Sequence, residues 1–268
     1  MVRQAVVAGS FYPDSEEKLV QQLASLVRTS AATDRDRVLG AVSPHAGYIY
    51  SGPVAGQLFS EIDVPGTVVL LAPNHTGLGA AFAACSEDWR TPLGEIQTDR
   101  DLLDGLRSEF PTLTDDHVAH AHEHSAEVQL PFIQFTNPDA KVVGIVLMSN
   151  DLNQLKELGH AIATAIRNTG SEALVLASSD MTHYEVQESA ESKDKQAIGR
   201  ILDLDPDGLW ETVKTQRMSM CGVAPVTAML VACKDLGATT AKLVKYATSG
   251  DVTGDYSQVV GYSAVTVK

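Results

Sequence analysis

Apolar, β-branched runs of strand length alternate with segments of helical period along this chain, and that alternation restricts it to an α/β architecture with a largely parallel sheet. The strand runs cover residues 38–42, 68–72, 141–147 and 173–177, each apolar at nearly every position, as strands covered on both faces are. A further pair near 243–247 and 259–267 closes the sheet. Helical spacing is read over 53–62, 100–110, 152–167, 188–202, 206–214 and 223–236, and Asp14 or Ser15 caps an earlier helix whose stripe is Leu19, Leu23, Leu26 and Val27. Residues 29–37 read as a polar loop, and 112–125 as the longest irregular stretch. No repeat or long linker divides the chain, so residues 1–268 are expected to form a single three-layer αβα domain around a central, mostly parallel sheet.

Charge and cysteine usage narrow the function classes. Twenty basic against 34 acidic residues give a formal net charge of −14, which argues against a nucleic-acid footprint and against adsorption to anionic lipid. Three widely spaced cysteines, Cys85, Cys221 and Cys233, form no disulfide framework and suit a reducing cytoplasm. No apolar run approaches the roughly 20 residues of a membrane span, and residues 1–12 do not read as a signal peptide.

Three strand runs end in a polar motif bearing histidine: Ser43-Pro-His45-Ala-Gly47, Pro73-Asn-His75-Thr-Gly77 and Ser178-Ser-Asp180-Met-Thr-His183. In an open parallel sheet the carboxyl ends of the strands share one edge, where α/β folds place ligand crevices. Residues more than 100 positions apart can therefore meet there, with Gly47 and Gly77 allowing the sharp turns. One such histidine is ordinarily a hydrogen-bonded loop residue, but three in equivalent places read as a metal or acid/base site.

The segment 117–127 holds four of the eight histidines. It reads either as a solvated loop, the better account of His117, His120 and His122, or as a flap that brings His124 and Glu127 to the pocket mouth. Cys221 stands just before a helix start near residue 223, where the dipole is expected to lower a thiol pKa. Cys85 and Cys233 read as inert core thiols, and His160 as structural.

Six ordered motifs carry a resemblance across nearly the whole chain: Ala8-Gly-Ser-Phe-Tyr-Pro13, Pro44-His-Ala-Gly-Tyr-Ile-Tyr-Ser-Gly52, Pro73-Asn-His75, Glu123-His-Ser-Ala-Glu-Val-Gln-Leu-Pro131, Ser178-Ser-Asp-Met-Thr-His183 and Cys221-Gly222. The chain resembles the Memo family, whose prokaryotic members are called AmmeMemoRadiSam system protein B. The family is similar in fold to the class III extradiol dioxygenases. The resemblance implies His45 and His75 as metal ligands, His183 as acid/base beside Asp180, and Cys221 where the dioxygenases place a carboxylate. It also implies iron or copper as the metal and a radical-SAM partner in a shared pathway.

A thiolate in place of the carboxylate softens the ligand set toward Cu(I), Zn or thiolate-bound iron. Three functions remain open on the residues: a metal-dependent redox enzyme acting on a small substrate, a zinc hydrolase with the same ligands, and a non-enzymatic pocket for a peptide or metabolite. Phe11, Tyr48 and Tyr50 are expected as walls of the pocket, with His124 and Glu127 at its mouth.

Overall fold

Side chains alternate between the two faces of a strand, so a run that is apolar throughout must be covered on both sides. The computed structural model describes residues 2–28 and 35–268. Its strands are β1 (Val2–Arg3), β2 (Gly40–Ser43), β3 (Thr67–Pro73), β4 (Phe82–Cys85), β5 (Asp88–Thr91), β6 (Gly94–Ile96), β7 (Thr114–Asp115), β8 (Lys141–Leu147), β9 (Ala173–Ser178), β10 (Asp180–Glu185), β11 (Ala241–Thr248) and β12 (Val259–Val267). The helices are α1 (Glu16–Leu26), α2 (Tyr48–Glu61), α3 (Arg100–Glu109), α4 (His117–His120), α5 (Leu130–Thr136), α6 (Leu152–Thr169), α7 (Gln187–Leu202), α8 (Pro206–Thr215), α9 (Val223–Asp235) and α10 (Gly250–Thr253). Of the polar loop expected over 29–37, residues 29–34 lie outside the described residues.

The four all-apolar runs become neighbours, β2-β9-β3-β8, parallel throughout. Antiparallel strands extend this core on both sides, β12 with β10 and β11 beyond β2, and β4 beyond β8. The result is a single α/β domain with a large mixed sheet between two helical layers. Ala41, Val68, Leu70 and Leu176 face α1, α2 and α5. Val42, Val69, Leu71 and Val175 face α3, α6 and α9, with α7 and α8 continuing that layer. A small second sheet, β1-β5-β6, lies beside the main one. Trp89 of β5 packs on β8 where Gly144 leaves room: a Cβ there would lie 2.8 Å from the indole Cζ2.

Several elements differ from the sequence expectation. Helix α2 begins at Tyr48, ahead of Pro53, because the Tyr48 N–H finds the Phe11 carbonyl (2.8 Å) and its ring is anchored in the core. Gly47 keeps an ordinary φ of −54° and serves as N-cap, whereas Gly77 does take a left-handed φ of +68°. The stretch 112–125 is not wholly irregular, since it contains β7 and α4. Strand β10 was not anticipated, because it follows β9 after a single residue and its burial does not alternate. Ser15 provides the α1 cap, accepting the Lys18 N–H at 3.4 Å. Among the described residues, no helix is long and apolar enough to cross a membrane.

Candidate metal centre

Strand register brings three motifs to one place. Ser43 pairs with Ser178, and Leu71 with Ala177, so the carboxyl ends of β2, β9 and β3 stand side by side. His45, His75 and the Asp180 segment leave from that edge. Cys221 approaches from the loop before α9, where the Gly222 N–H is held by Ser179 Oγ at 3.1 Å. A Cβ at position 222 would lie 2.5 Å from the Ser178 carbonyl oxygen, so glycine is what permits this approach. Cys221 Sγ then lies 3.3 Å from His45 Nε2. One donor atom from each of His45, His75 and Cys221 falls within 4.8 Å of the other two.

Hydrogen bonding sets the histidine tautomers. Ser178 Oγ donates to the Ser125 carbonyl (2.7 Å), so it must accept from His45 Nδ1 (2.8 Å) and from Gln129 Nε2 (2.9 Å). Gln129 is oriented by its second bond, to the Pro44 carbonyl at 2.9 Å. His45 therefore carries its proton on Nδ1 and turns the Nε2 lone pair toward Cys221. Burial, then the neighbouring His124 and His75, holds the His45 pKa well below its ordinary value, so the ring is neutral. His75 is fixed in the same sense, its Nδ1 lying 2.9 Å from Glu123 Oε1. Histidines whose Nδ1–H is held in this way present Nε2 as a ligand.

Glu123 anchors the His-rich segment. It accepts the main-chain N–H groups of His75, His124 and Ser125 as well as the His75 ring. Burial pushes its carboxyl up, but the bonds from His75 and Ser125 outweigh that and hold it at about 2. His75, Glu123 and His124 also lie within 4.8 Å of one another. Glu123 already accepts four N–H groups, whereas His45 Nε2 and His75 Nε2 are left free by the bonds at Nδ1, which makes His45, His75 and Cys221 the less committed of the two sets.

Around this centre the other expected residues divide. His124 stacks on His75 with centroids 4.7 Å apart, and Phe11 packs on His124 at 4.8 Å. Tyr50, in the first turn of α2, is exposed. Asp180 is buried; burial pushes its carboxyl up to about 6 against the opposing bonds from the His45 and Ala46 N–H groups and the charge of His183. His183 donates its main-chain N–H to Ser219 Oγ (2.7 Å), and its Nδ1 meets the Ser219 carbonyl (3.0 Å). Ser219, rather than Asp180, thus sets the His183 tautomer and leaves Nε2 with a lone pair.

Four expectations are corrected. Glu127 does not reach the pocket mouth: it is fully buried, paired with Arg3, and accepts from Tyr12 Oη (2.6 Å) and the Val6 and Val7 N–H groups. Tyr48 is not a pocket wall but a core residue, 2% exposed, donating to the Val128 carbonyl at 2.8 Å. The thiol of Cys221 is not lowered by the helix, because burial and then the Asp180 carboxylate push it up, while Gly222 is the residue that caps α9. His120, expected in a solvated loop, is fully buried, with Nε2 3.0 Å from the Ala83 carbonyl. Sequence reasoning also missed the roles of Ser178, Glu123 and Gln129; the available signal was the strand end for Ser178 and the adjacent His124 for Glu123, and Gln129 carried none.

A family profile described as "Memo-like protein" matches residues 3–266. The chain belongs to the Memo-like family. A MEMO1 family protein of Methanopyrus kandleri is 43% identical, with 100% of this chain and 99% of that protein covered. One from Methanococcoides burtonii is also 43% identical over the full length of both, and one from Pyrobaculum arsenaticum is 42% identical with 98% of each covered. The solved structure of an uncharacterized Escherichia coli K12 protein shares the fold, with a TM-score of 0.56 and 15% identity over 86% of this chain and 100% of that one.

Proposed function

We propose that this Memo-like protein binds a single iron or copper ion through His45, His75 and Cys221 and acts as a redox enzyme on a small molecule, or a peptide end, admitted to that pocket. The observation that carries the reading is the tautomer arrangement: two imidazoles with Nδ1 held by Ser178 and Glu123, and a thiol sulfur 3.3 Å from the first Nε2. Two nitrogens and a sulfur form a soft set that suits Cu(I), a thiolate-bound iron or zinc, and three protein ligands leave room for a substrate.

The raised pKa of the metal-free thiol does not oppose this, since coordination deprotonates a thiol outright. When bound, the ion supplies a Lewis-acid and electron-transfer centre. His183 accepts or returns a proton at Nε2, with Ser219 keeping its ring fixed. Asp180 holds the His45 main chain through the 2.8 Å bond to its N–H. Phe11 and His124 form an apolar and polar wall that limits water on that side. The free thiols of Cys85, Cys221 and Cys233 suit a reducing cytoplasm, and a radical-SAM protein is the pathway partner this reading expects.

The test is metal analysis of anaerobically purified protein beside His45→Ala, His75→Ala and His183→Ala. The reading expects about one ion per chain, most of it lost from the first two variants and nearly all retained in the third. Equal loss from His183→Ala and His45→Ala would make His183 a ligand and overturn the division of roles.

A further inference from the structure

β10 is the last strand of the main sheet, so strand pairing holds it from one side only, through β12. That pairing is irregular around His183. Asp180 pairs with Tyr262, His183 with Val260 and Glu185 with Val259, so β10 carries one extra residue in each interval. Bulges re-aim side chains, and an edge strand with two of them needs other contacts to keep one register. Side chains from two other segments supply those contacts. Asp194 Oδ1 accepts the Thr182 N–H at 3.0 Å, and Ser219 Oγ accepts the His183 N–H at 2.7 Å.

Asp194 is the exception in an otherwise apolar stripe. α7 buries Ala190, Asp194, Ala197, Ile198 and Ile201, and Asp194 is fully buried. Burying a carboxylate is costly unless hydrogen bonds compensate. Its partners are the Thr182 N–H and the Tyr246 hydroxyl of β11, which donates to Oδ2 at 2.7 Å; neither is a cation. β12 makes room for the acid, since a Cβ at Gly261 would collide with Oδ2. Three strands are thus arranged around one carboxylate, where an apolar side chain would pack without the desolvation cost. What the acid adds is an acceptor for the Thr182 N–H, one residue before His183.

We propose that Asp194 is a positioning residue for His183: by holding the Thr182 N–H it keeps the β10 bulge in the register that seats the His183 ring on the Ser219 carbonyl. Seated there, Nδ1 carries the proton, 3.0 Å from the carbonyl oxygen, and Nε2 keeps its lone pair for proton transfer. The proposal rests on the metal-site reading only for the use made of that lone pair. With no acceptor at position 194, the Thr182 N–H would be buried and unpaired, a cost that favours a shift of the bulge. Such a shift carries the next residue, His183, off Ser219.

The experiment reads the His183 tautomer by long-range proton–nitrogen NMR of the full-length protein, isotopically labelled at the histidine ring nitrogens, at about pH 8.5, above the ordinary histidine pKa. The His183 signals are those missing from His183→Gln. In the unaltered protein they should report mainly the Nδ1–H form. Asp194→Ala should shift the ratio about fivefold toward Nε2–H, the worth of one ordinary hydrogen bond. Asp194→Asn should keep the unaltered ratio, because its amide oxygen still accepts the Thr182 N–H and its amide nitrogen can donate to Tyr246 Oη. Gly261→Ala, which drives a methyl group against the carboxylate, should act as Asp194→Ala does and stands in for it if that variant does not fold. Ile201→Ala, a truncation in the buried stripe of the same helix, should lower stability and leave the tautomer unchanged. The proposal is overturned if His183 is mainly Nε2–H in the unaltered protein, if Asp194→Ala keeps the ratio, if Asp194→Asn loses it, or if Ile201→Ala shifts it as far. Metal content is measured on the same samples. A tautomer ratio that tracks Asp194 in a protein holding no metal would leave this inference standing and remove the metal reading; bound metal with a ratio indifferent to Asp194 would do the reverse.

Discussion

His45 Nε2 and Cys221 Sγ lie 3.3 Å apart although 176 positions separate them in the chain. Neither position is special alone. The parallel pairing of β2 with β9 puts His45 at the sheet edge beside the Ser178–Ser179 turn, and the same turn receives Gly222. One piece of backbone thereby sets both partners.

The tautomer of His45 depends on Ser178, so Ser178→Ala should weaken metal binding. Loss of such a supporting bond ordinarily costs about 10- to 100-fold in affinity. A chelator competition titration measures it; affinity unchanged within threefold would show that Ser178 does not set the ligand.

Ligand softness predicts metal choice. Cys221→Glu replaces the sulfur with a hard oxygen donor and should raise the preference for Fe(II) over Cu(I). Parallel anaerobic competition with the two ions checks this, and an unchanged ratio would remove softness as the basis of selection.

Arg3 and Glu127 form a buried ion pair that ties the N-terminal segment to the His-rich stretch, and the Arg3 guanidinium also reaches the carbonyls of His120 and Glu123. Breaking a buried pair by removing one partner typically costs about 3–5 kcal/mol. Arg3→Met should therefore lower the stability read from urea denaturation by that order. A loss under about 1 kcal/mol would mean the segment is not held by this pair.

His120 gives the protein an acid-sensitive buttress. Burial is the main cause of its pKa falling to about 4, and its Nδ1 has no partner. A depressed histidine contributes stability above its unfolded value of about 6.5, and this is lost as pH falls through 4, by up to about 3 kcal/mol. Urea midpoints at pH 7 and pH 4.5 should fall further for the unaltered protein than for His120→Gln. Parallel falls would contradict the assignment.

The parallel core was legible because β2, β3, β8 and β9 are apolar at almost every position, and only a strand covered on both faces needs that pattern. The ends of those strands then gave His45 and His75. β5 and β6 were not legible, since three- and four-residue strands carry too little periodicity, and β10 was hidden by its bulges. Glu127 was misplaced because a glutamate beside a histidine motif looks catalytic in sequence; its buried partner Arg3 lies 124 positions away. Tyr48 and Tyr50, two residues apart on a helix, face different ways, so one is core and the other exposed, a distinction that depends on where α2 begins.

The central claim is that Cys221 and two neutral histidines share one ion. X-ray absorption at the metal edge of the zinc-loaded protein tests it most directly. The account predicts one sulfur at about 2.3 Å and two imidazole nitrogens at about 2.0–2.1 Å, with the sulfur shell lost in Cys221→Ser. A first shell of nitrogen and oxygen alone, or a spectrum that Cys221→Ser leaves unchanged, would contradict it.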